Sequence, residues 1–425
     1  MKYYIIAGEA SGDLHGSNLI KGILKNSPDS EIRCWGGDLM QQAGGTLVRD
    51  YKENAVMGIV EVLGKLKSIL GNLKFCKEDI LSFNPDVVIL IDYPGFNLKV
   101  AKFAKEHNFK VVYYIPPKVW ARGASRIKLL KKYVDATYII FPFEVEYFKK
   151  KGLDVRYFGN PLIDNISNSL ANYNRGEFLQ RHSLEEKPII ALLAGSRKME
   201  IEYLLPRMKE VVRLMNAGHK DKYQFVLAAA PSHDLSYYKQ IIGDCPIKVI
   251  QNETYAILKS AQAAIISSGT ASLEAAIIST PQVVCYGMHP ITYFIAKLVV
   301  KLESISLASM ILGKPIFKEL LQDKCTPENI AEEVLELTEN ESYRKVMMDD
   351  YKKMNDLLGE KGSIEVPEVS EGILAATHAL HLLHLPHHFA GLLKLLEEAI
   401  NLYYGSSRTL SNTIFSATIQ KRRVS

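Results

Sequence analysis

A chain of 425 residues, 47% of them hydrophobic, is longer than one hydrophobic core normally serves, so two domains are expected. A formal charge of +5, with no Arg/Lys run interleaved with aromatics, makes no case for nucleic acid and is compatible with an anionic lipid surface. Five widely spaced cysteines without a CxxC argue for reduced thiols rather than disulfides or zinc. The first residues form a strand, without the layout of a signal peptide, and no apolar run reaches the ~18 residues of a bilayer span, so a cytoplasmic location is expected.

The first element is the buried strand "YYIIA", followed by the Gly-rich turn "GEASGDLHG" and a helix. The layout is that of a phosphate-binding loop, but Glu9 and Asp13 repel phosphate, and neither a GK[ST] ending nor a GxGxxG spacing is present. Carboxylates in a glycine turn suit sugar hydroxyls; equally, Asp13 caps a helix beginning at Leu14. Next comes "IVEVLGKLKSILGNL", with Ile59, Val62, Leu63, Leu66, Ile69, Leu70 and Leu73 at helical spacing and Lys65, Lys67 and Lys74 beside them. Periodicity alone favours a core-facing stripe over a lipid-facing one. The strand "DVVILID" ends on Asp92; Pro94 and Gly95 turn the chain and Asn97 is read as starting and capping the next helix. An acid at the carboxyl end of a strand is placed to serve as a general base, and Asn97 as cap leaves Asp92 without a structural duty. After "KVVYYI", a basic cluster of Lys118, Arg122, Arg126 and Lys128 offers itself to a phosphate or to anionic headgroups, or forms a solvated face. "ATYIIF" closes the first strand series.

Asn, Ser, Pro and Gly accumulate over "FGNPLIDNISNSLANYNRGEF", which places a linker at about residues 160 to 187. A second series, "PIIALLA", "YQFVLAAA", "IKVI", "AAIISS" and "QVVCY", then follows. Fully apolar strands separated by helices mean parallel sheets covered on both faces, so two doubly wound α/β domains are expected, over 1–165 and 166–345, with a helical segment over 346–425. Ligands of such sheets sit beyond the carboxyl ends of the strands. There the second series carries Gly195 and Ser196 in a turn and Arg197 and Lys198 at a helix start, where backbone N–H groups, the positive helix end and a guanidinium favour a phosphate or diphosphate. A second small-residue turn, Ser267, Ser268, Gly269 and Thr270, opens another helix, and Glu274 lies one turn further on, where a carboxylate accepts the hydroxyl protons of a ribose. Together these describe a nucleoside diphosphate site. No DxD pair occurs, so neither metal nor other cofactor is expected, and Arg197 with the helix ends must stabilise a leaving diphosphate. Beyond Gly362, His378, His381, His384, His387 and His388 cluster, but Pro386 interrupts their helix and no Cys or carboxylate joins them, so a metal site is not favoured.

The blocks "AGEASGDLHG", "AVMGIVEVLGKL", "IDYPGFN", "VVYYIPPKVWA", "FPFE", "GNPL", "AGSRKMEI", "SSGTASLE" and "PQVVCYGMHPITYFIAKLVVK", in this order over residues 1 to about 362, resemble the lipid-A-disaccharide synthase family. The resemblance implies a GT-B glycosyltransferase with two Rossmann-like domains. It would move 2,3-diacylglucosamine from UDP-2,3-diacylglucosamine to the 6-hydroxyl of 2,3-diacylglucosamine 1-phosphate, with inversion, releasing UDP. It matches Asp92 to the base and Arg197 and Glu274 to the UDP-sugar side; were Asp92 not the base, Glu9 and Asp13 of the opening loop would be the next candidates. Because both substrates are acylated, it also implies peripheral association with the inner membrane, with Met57, the stripe from Ile59, Lys118, Arg122 and Arg126 on the acceptor or membrane side. The chain departs from the family pattern at Pro116, Arg122, Ala194, Ala308 and Ser309. A UDP-sugar 2-epimerase and a membrane-associated UDP-sugar-binding scaffold without turnover are the competing readings.

Overall fold

Strands that are apolar on both faces need cover on both faces, and the chain supplies it by placing helices between successive strands. The computed structural model describes residues 1–54, 62–118, 125–157, 159–287 and 306–359, the side chains of 53–54 and 62–68 excepted. Strands β1 (Lys2–Ala7), β2 (Glu31–Gly36), β3 (Thr46–Asp50), β4 (Val87–Ile91), β5 (Lys110–Tyr114), β6 (Ala136–Ile139) and β7 (Arg156–Tyr157) form one sheet. Its order is β3-β2-β1-β4-β5-β6-β7. Strands β8 (Ile189–Leu193), β9 (Gln224–Ala229), β10 (Ile247–Gln251), β11 (Ala261–Ser267), β12 (Gln282–Tyr286) and β13 (Glu319–Leu321) form the other, in the order β10-β9-β8-β11-β12-β13. All pairings are parallel, as the two series of apolar runs require.

In both sheets the order in which strands are added reverses beside the first strand, between β1 and β4 and between β8 and β11. At such a switch point the flanking connections leave to opposite faces and open a crevice at the carboxyl ends. The fold therefore predisposes two places for ligands: after β1 and β4, and after β8 and β11.

Each sheet carries its own core. Tyr4, Ile6, Val88, Leu90 and Tyr113 pack in the first, with Leu73, Cys76 and Ile80 of the helix Val62–Phe83 laid on them. The hydroxyl of Tyr4, buried in the middle of β1, donates to Asp79 Oδ2 at 2.7 Å and accepts from Trp35 Nε1 at 2.8 Å, so its polar atom is satisfied without reaching water. On the same helix Ile69 and Leu70 stand 41% and 52% exposed while Leu73 is 9% exposed. The expected stripe thus divides, with its Leu73 end in the core and Ile69 and Leu70 on the surface. Met57 and Ile59, and the side chains of Val62, Leu63 and Leu66, lie outside the described residues.

The expected linker is instead two short helices, Pro161–Leu170 and Arg175–Arg181. The asparagines that suggested a loop are helix caps: Asn160 accepts from Leu162 N at 3.0 Å and Asn174 from Glu177 N at 3.1 Å. Ile166, Phe178 and Leu179 of these helices pack in the second core with Ile189, Val226 and Ile266. After β13 come the helices Pro327–Glu339 and Glu341–Leu358, capped by Thr326 and Asn340. Both sheets belong to one compact unit, Met1–Ile373. The five clustered histidines lie outside the described residues.

Candidate active site

Four loops meet at the switch point of the second sheet. The strand β8 is followed by Ala194 and by Gly195 at φ +104°, a left-handed conformation that costs glycine nothing. Arg197 then takes the N-cap position of the helix Lys198–Gly218 without a side-chain capping bond. The strand β11 is followed by Ser268 and Gly269, and the helix Thr270–Ile278 begins. Together with Pro231 after β9 and Thr254 after β10, these residues line an open cavity of ≈ 390 Å³, within the range of small-molecule sites. The structure therefore brings Gly195, Ser196, Arg197, Ser268, Gly269, Thr270 and Glu274 to one cavity.

Two features of the cavity differ from expectation. The backbone N–H of Ser268 is committed to Cys285 O at 2.9 Å, because Ser268 still follows the ladder of β11 and β12. At the other turn the N–H groups of Ser196 and Arg197 both donate to Glu200 Oε2, at 3.1 and 3.3 Å. Glu200 Oε1 also lies 3.5 Å from the guanidinium of Arg197, whose side chain is otherwise 85% exposed. A carboxylate three residues past the N-cap is the acidic half of a capping box, a signal present in "SRKME" that sequence reasoning passed over. Glu274, half-buried in the helix Thr270–Ile278, accepts from Tyr255 Oη at 3.1 Å. Burial pushes its carboxyl up, and the Tyr255 bond opposes that shift. Tyr255 was also missed, since a half-buried tyrosine carries no local mark of its partner.

At the switch point of the first sheet stand Glu9, Asp92, Lys118 and His15. Glu9 follows β1 and holds the N-cap position of the helix Ala10–Asn26, with no side-chain bond to that helix end. Asp92 and Tyr93 follow β4 in consecutive left-handed conformations, φ +45° and +46°, a strained turn for two non-glycine residues. The carbonyl of Asp92 holds this turn, accepting from Tyr113 Oη at 2.7 Å and Asn97 Nδ2 at 2.9 Å. Tyr93 fits because residue 8 is glycine: a Cβ there would stand 2.3 Å from its ring. The Asp92 carboxyl is pushed up by burial and then by the charge of Glu9, while Lys118 and the Tyr93 N–H pull it down. His15 is held down at about 4 by burial and by Lys118, so its imidazole is neutral at neutral pH, and its ring meets Tyr114 edge-on at 6.5 Å. Sequence reasoning did not single out His15.

The remaining expectations divide. Asp13 does not cap its own helix, which starts at Ala10. Its carboxylate, 3% exposed, accepts from Gly37 N, Leu39 N and Met40 N at 2.7, 3.2 and 3.1 Å and so caps the helix Asp38–Gln42. Asn97 is not a cap either: Tyr93 holds that position, and the buried Asn97 amide donates to Ile91 O at 3.1 Å as well as to Asp92 O. Lys118 lies 5.8 Å over the Phe141 ring, and the charge of Arg126 acts on the Tyr113 hydroxyl. Arg122 lies outside the described residues. Of the departures, Pro116 is buried, Ala194 and Ala308 are 1% and 0% exposed, and the Ser309 hydroxyl bonds to Ser306 Oγ at 2.8 Å and Ile316 N at 3.3 Å. Among the described residues no group of three or more His, Cys, Asp or Glu is arranged to hold a metal ion, and no helix is long and apolar enough to cross a membrane.

A family model described as "Lipid-A-disaccharide synthetase" matches residues 3–370. A lipid-A-disaccharide synthase of Syntrophus aciditrophicus (strain SB) is 37% identical over 365 residues, covering 85% of this chain and 94% of the relative. One of Coxiella burnetii (strain Dugway 5J108-111) is 37% identical over 342 residues, 80% of this chain and 90% of the relative. Among solved structures, a UDP-GlcNAc 2-epimerase from Neisseria meningitidis bound to UDP-GlcNAc has a TM-score of 0.60 at 12% identity, covering 88% of this chain and 100% of that one. The calicheamicin glycosyltransferase CalG4 has a TM-score of 0.55 at 14% identity, covering 89% and 98%. At these identities the likeness is one of fold.

Proposed function

The chain belongs to the lipid-A-disaccharide synthase family, glycosyltransferases of lipid A synthesis with the GT-B fold, and from that premise we propose that it moves 2,3-diacylglucosamine from UDP-2,3-diacylglucosamine to the 6-hydroxyl of 2,3-diacylglucosamine 1-phosphate with inversion. The observation that carries the proposal is Asp92: a carboxylate at a switch point, its backbone clamped by Tyr113 and Asn97, its side chain answering to Glu9 and Lys118. A base whose carboxyl is raised towards the working pH takes a proton more readily than an ordinary aspartate.

In this reading the cavity after β8 and β11 holds the UDP moiety. Glu274 accepts from the ribose hydroxyls, and Arg197 with the helix starts at Lys198 and Thr270 takes the diphosphate. The acceptor oxygen attacks the anomeric carbon while its proton passes to Asp92, and the bond to the diphosphate oxygen breaks on the opposite face, which inverts the centre. The negative charge growing on the diphosphate is met by the Arg197 guanidinium and the helix ends. Lys118, whose charge reaches both Asp92 and His15, is a cation on the acceptor side and is assigned to the acceptor phosphate. Exposed Ile69 and Leu70, with Lys74 79% exposed one turn on, are the surface assigned to the membrane that holds both lipids.

The test is release of UDP from UDP-2,3-diacylglucosamine with and without the acceptor lipid. UDP should appear only when both are present, together with one equivalent of disaccharide 1-phosphate. Release from the donor alone with epimerisation at C2 would replace the transferase reading, and binding without turnover would leave a scaffold.

A further inference from the structure

The two N–H groups best placed for a diphosphate at the start of the helix Lys198–Gly218 already have an anionic partner built into the chain. Glu200 Oε2 accepts from Ser196 N at 3.1 Å and from Arg197 N at 3.3 Å, and its other oxygen lies 3.5 Å from the Arg197 guanidinium. The turn is shaped around that carboxylate: a Cβ on Gly195 would stand 2.5 Å from Glu200 Oε2 and 3.2 Å from Ser267 Oγ of the facing turn. Only half of a capping box is present, because a guanidinium has no acceptor with which to return the bond. Glu200 is therefore fixed by the groups a phosphate would use, and it lines the same cavity.

We propose that Glu200 is an internal competitor for the diphosphate, leaving the Ser196 and Arg197 N–H groups when the nucleotide binds and returning when UDP departs. Two negative groups cannot share one pair of N–H donors, so donor binding must displace the carboxylate, and the same motion frees Arg197 to turn to the diphosphate. The displaced contacts are charge-assisted and cost affinity to break. That cost falls on donor and product alike, and its benefit is to the product: UDP leaves a site whose donors have a ready replacement, where release would otherwise limit turnover. The proposal rests on the UDP-site reading above.

The test compares UDP with uridine, which lacks the diphosphate, on wild-type chain, Glu200→Gln and Glu200→Ala, by titration calorimetry or ligand-detected NMR. Glu200→Ala should bind UDP about tenfold more tightly than wild type. Glu200→Gln, whose neutral amide oxygen still accepts, should show a smaller gain in the same direction. Uridine affinity should not change in either. UDP should also become a stronger product inhibitor in both variants. Unchanged or weaker UDP binding, or a gain that uridine shares, overturns the proposal and leaves Glu200 as a structural cap. Glu200→Gln keeps size and cap, so it decides the matter if Glu200→Ala does not fold. A wild-type chain that binds neither UDP nor uridine overturns the site reading itself, and this proposal with it.

Discussion

Asp92 combines a chemical and a conformational peculiarity, and one substitution separates them. Asparagine keeps the size, tolerates the left-handed backbone at φ +45° at least as well as aspartate, and leaves the bonds to the Asp92 carbonyl in place. Turnover of Asp92→Asn should fall by ~10²–10⁴-fold in the two-substrate assay, as loss of a general base requires, with UDP affinity unchanged. The same variant should melt at a higher temperature than wild type at neutral pH. The sign follows from the raised carboxyl: the folded state binds this proton more tightly than the unfolded chain, so the ionised form present at neutral pH opposes folding, an opposition that fades as pH falls through the raised value. For the same reason the acid limb of kcat/KM should lie above the ordinary aspartate value of about 3.9, and Lys118→Met, which removes a cation that pulls Asp92 down, should move it higher still. At the other site Glu274→Ala should weaken UDP binding by about 1–3 kcal/mol in calorimetry, the cost of leaving two ribose hydroxyls without their acceptor. Equal affinity would remove Glu274 from the ribose.

At the scale of elements, two helices show how burial decides what a residue is for. Asp13 looks like a site carboxylate in the glycine turn, yet its oxygens end the helix Asp38–Gln42 from a neighbouring element. Asp13→Ala should therefore cost about 2–3 kcal/mol in urea unfolding, since it leaves buried N–H groups without an acceptor, and any fall in activity should track the loss of folded protein. The helix Val62–Phe83 divides along its length. Replacing Ile69 and Leu70 together by Ser should leave the melting temperature nearly unchanged and reduce binding to anionic vesicles, because both are surface residues. Leu73→Ser, by contrast, places a hydroxyl in the core beside Cys76 and Ile80 and should destabilise the chain. If the paired serines unfold the protein, the exposed end of the stripe packs in a manner its exposure does not convey.

At the scale of the molecule, one strand order used twice explains where the chemistry collects. Each sheet reverses beside its first strand, so the loops after β1 and β4, and after β8 and β11, are neighbours although 80 and more residues can separate them in the chain. Glu9 and Asp92 stand at the first switch point and the turns at Gly195 and Gly269 at the second, the division that the proposed reading gives to a sugar acceptor and a nucleotide. Alternation of apolar runs with helical stretches made both sheets legible from the sequence, because that pattern depends only on which faces of each element must be dry. It read the segment between the two strand series as a loop, because asparagines that cap helices look the same in sequence as asparagines that make loops.

By itself the sequence determined the strands β1, β4 to β6 and β8 to β12, their parallel pairing, the turns at Gly195 and Gly269 and the place of an acid at the end of β4, all of which follow from local apolar periodicity and from the few residues that permit a tight turn; the strands β2, β3, β7 and β13 were not read from it. Only the tertiary structure decided what those acids meet. The partner of Asp13 lies 24 residues on, that of Glu274 lies 19 residues back, and the charges that act on Asp92 come from the ends of β1 and β5. Those meetings are set by the order of strands in a sheet, a property of how many segments pack at once, and a carboxylate carries no local sign of whether its oxygens will find a helix end, a tyrosine or a substrate.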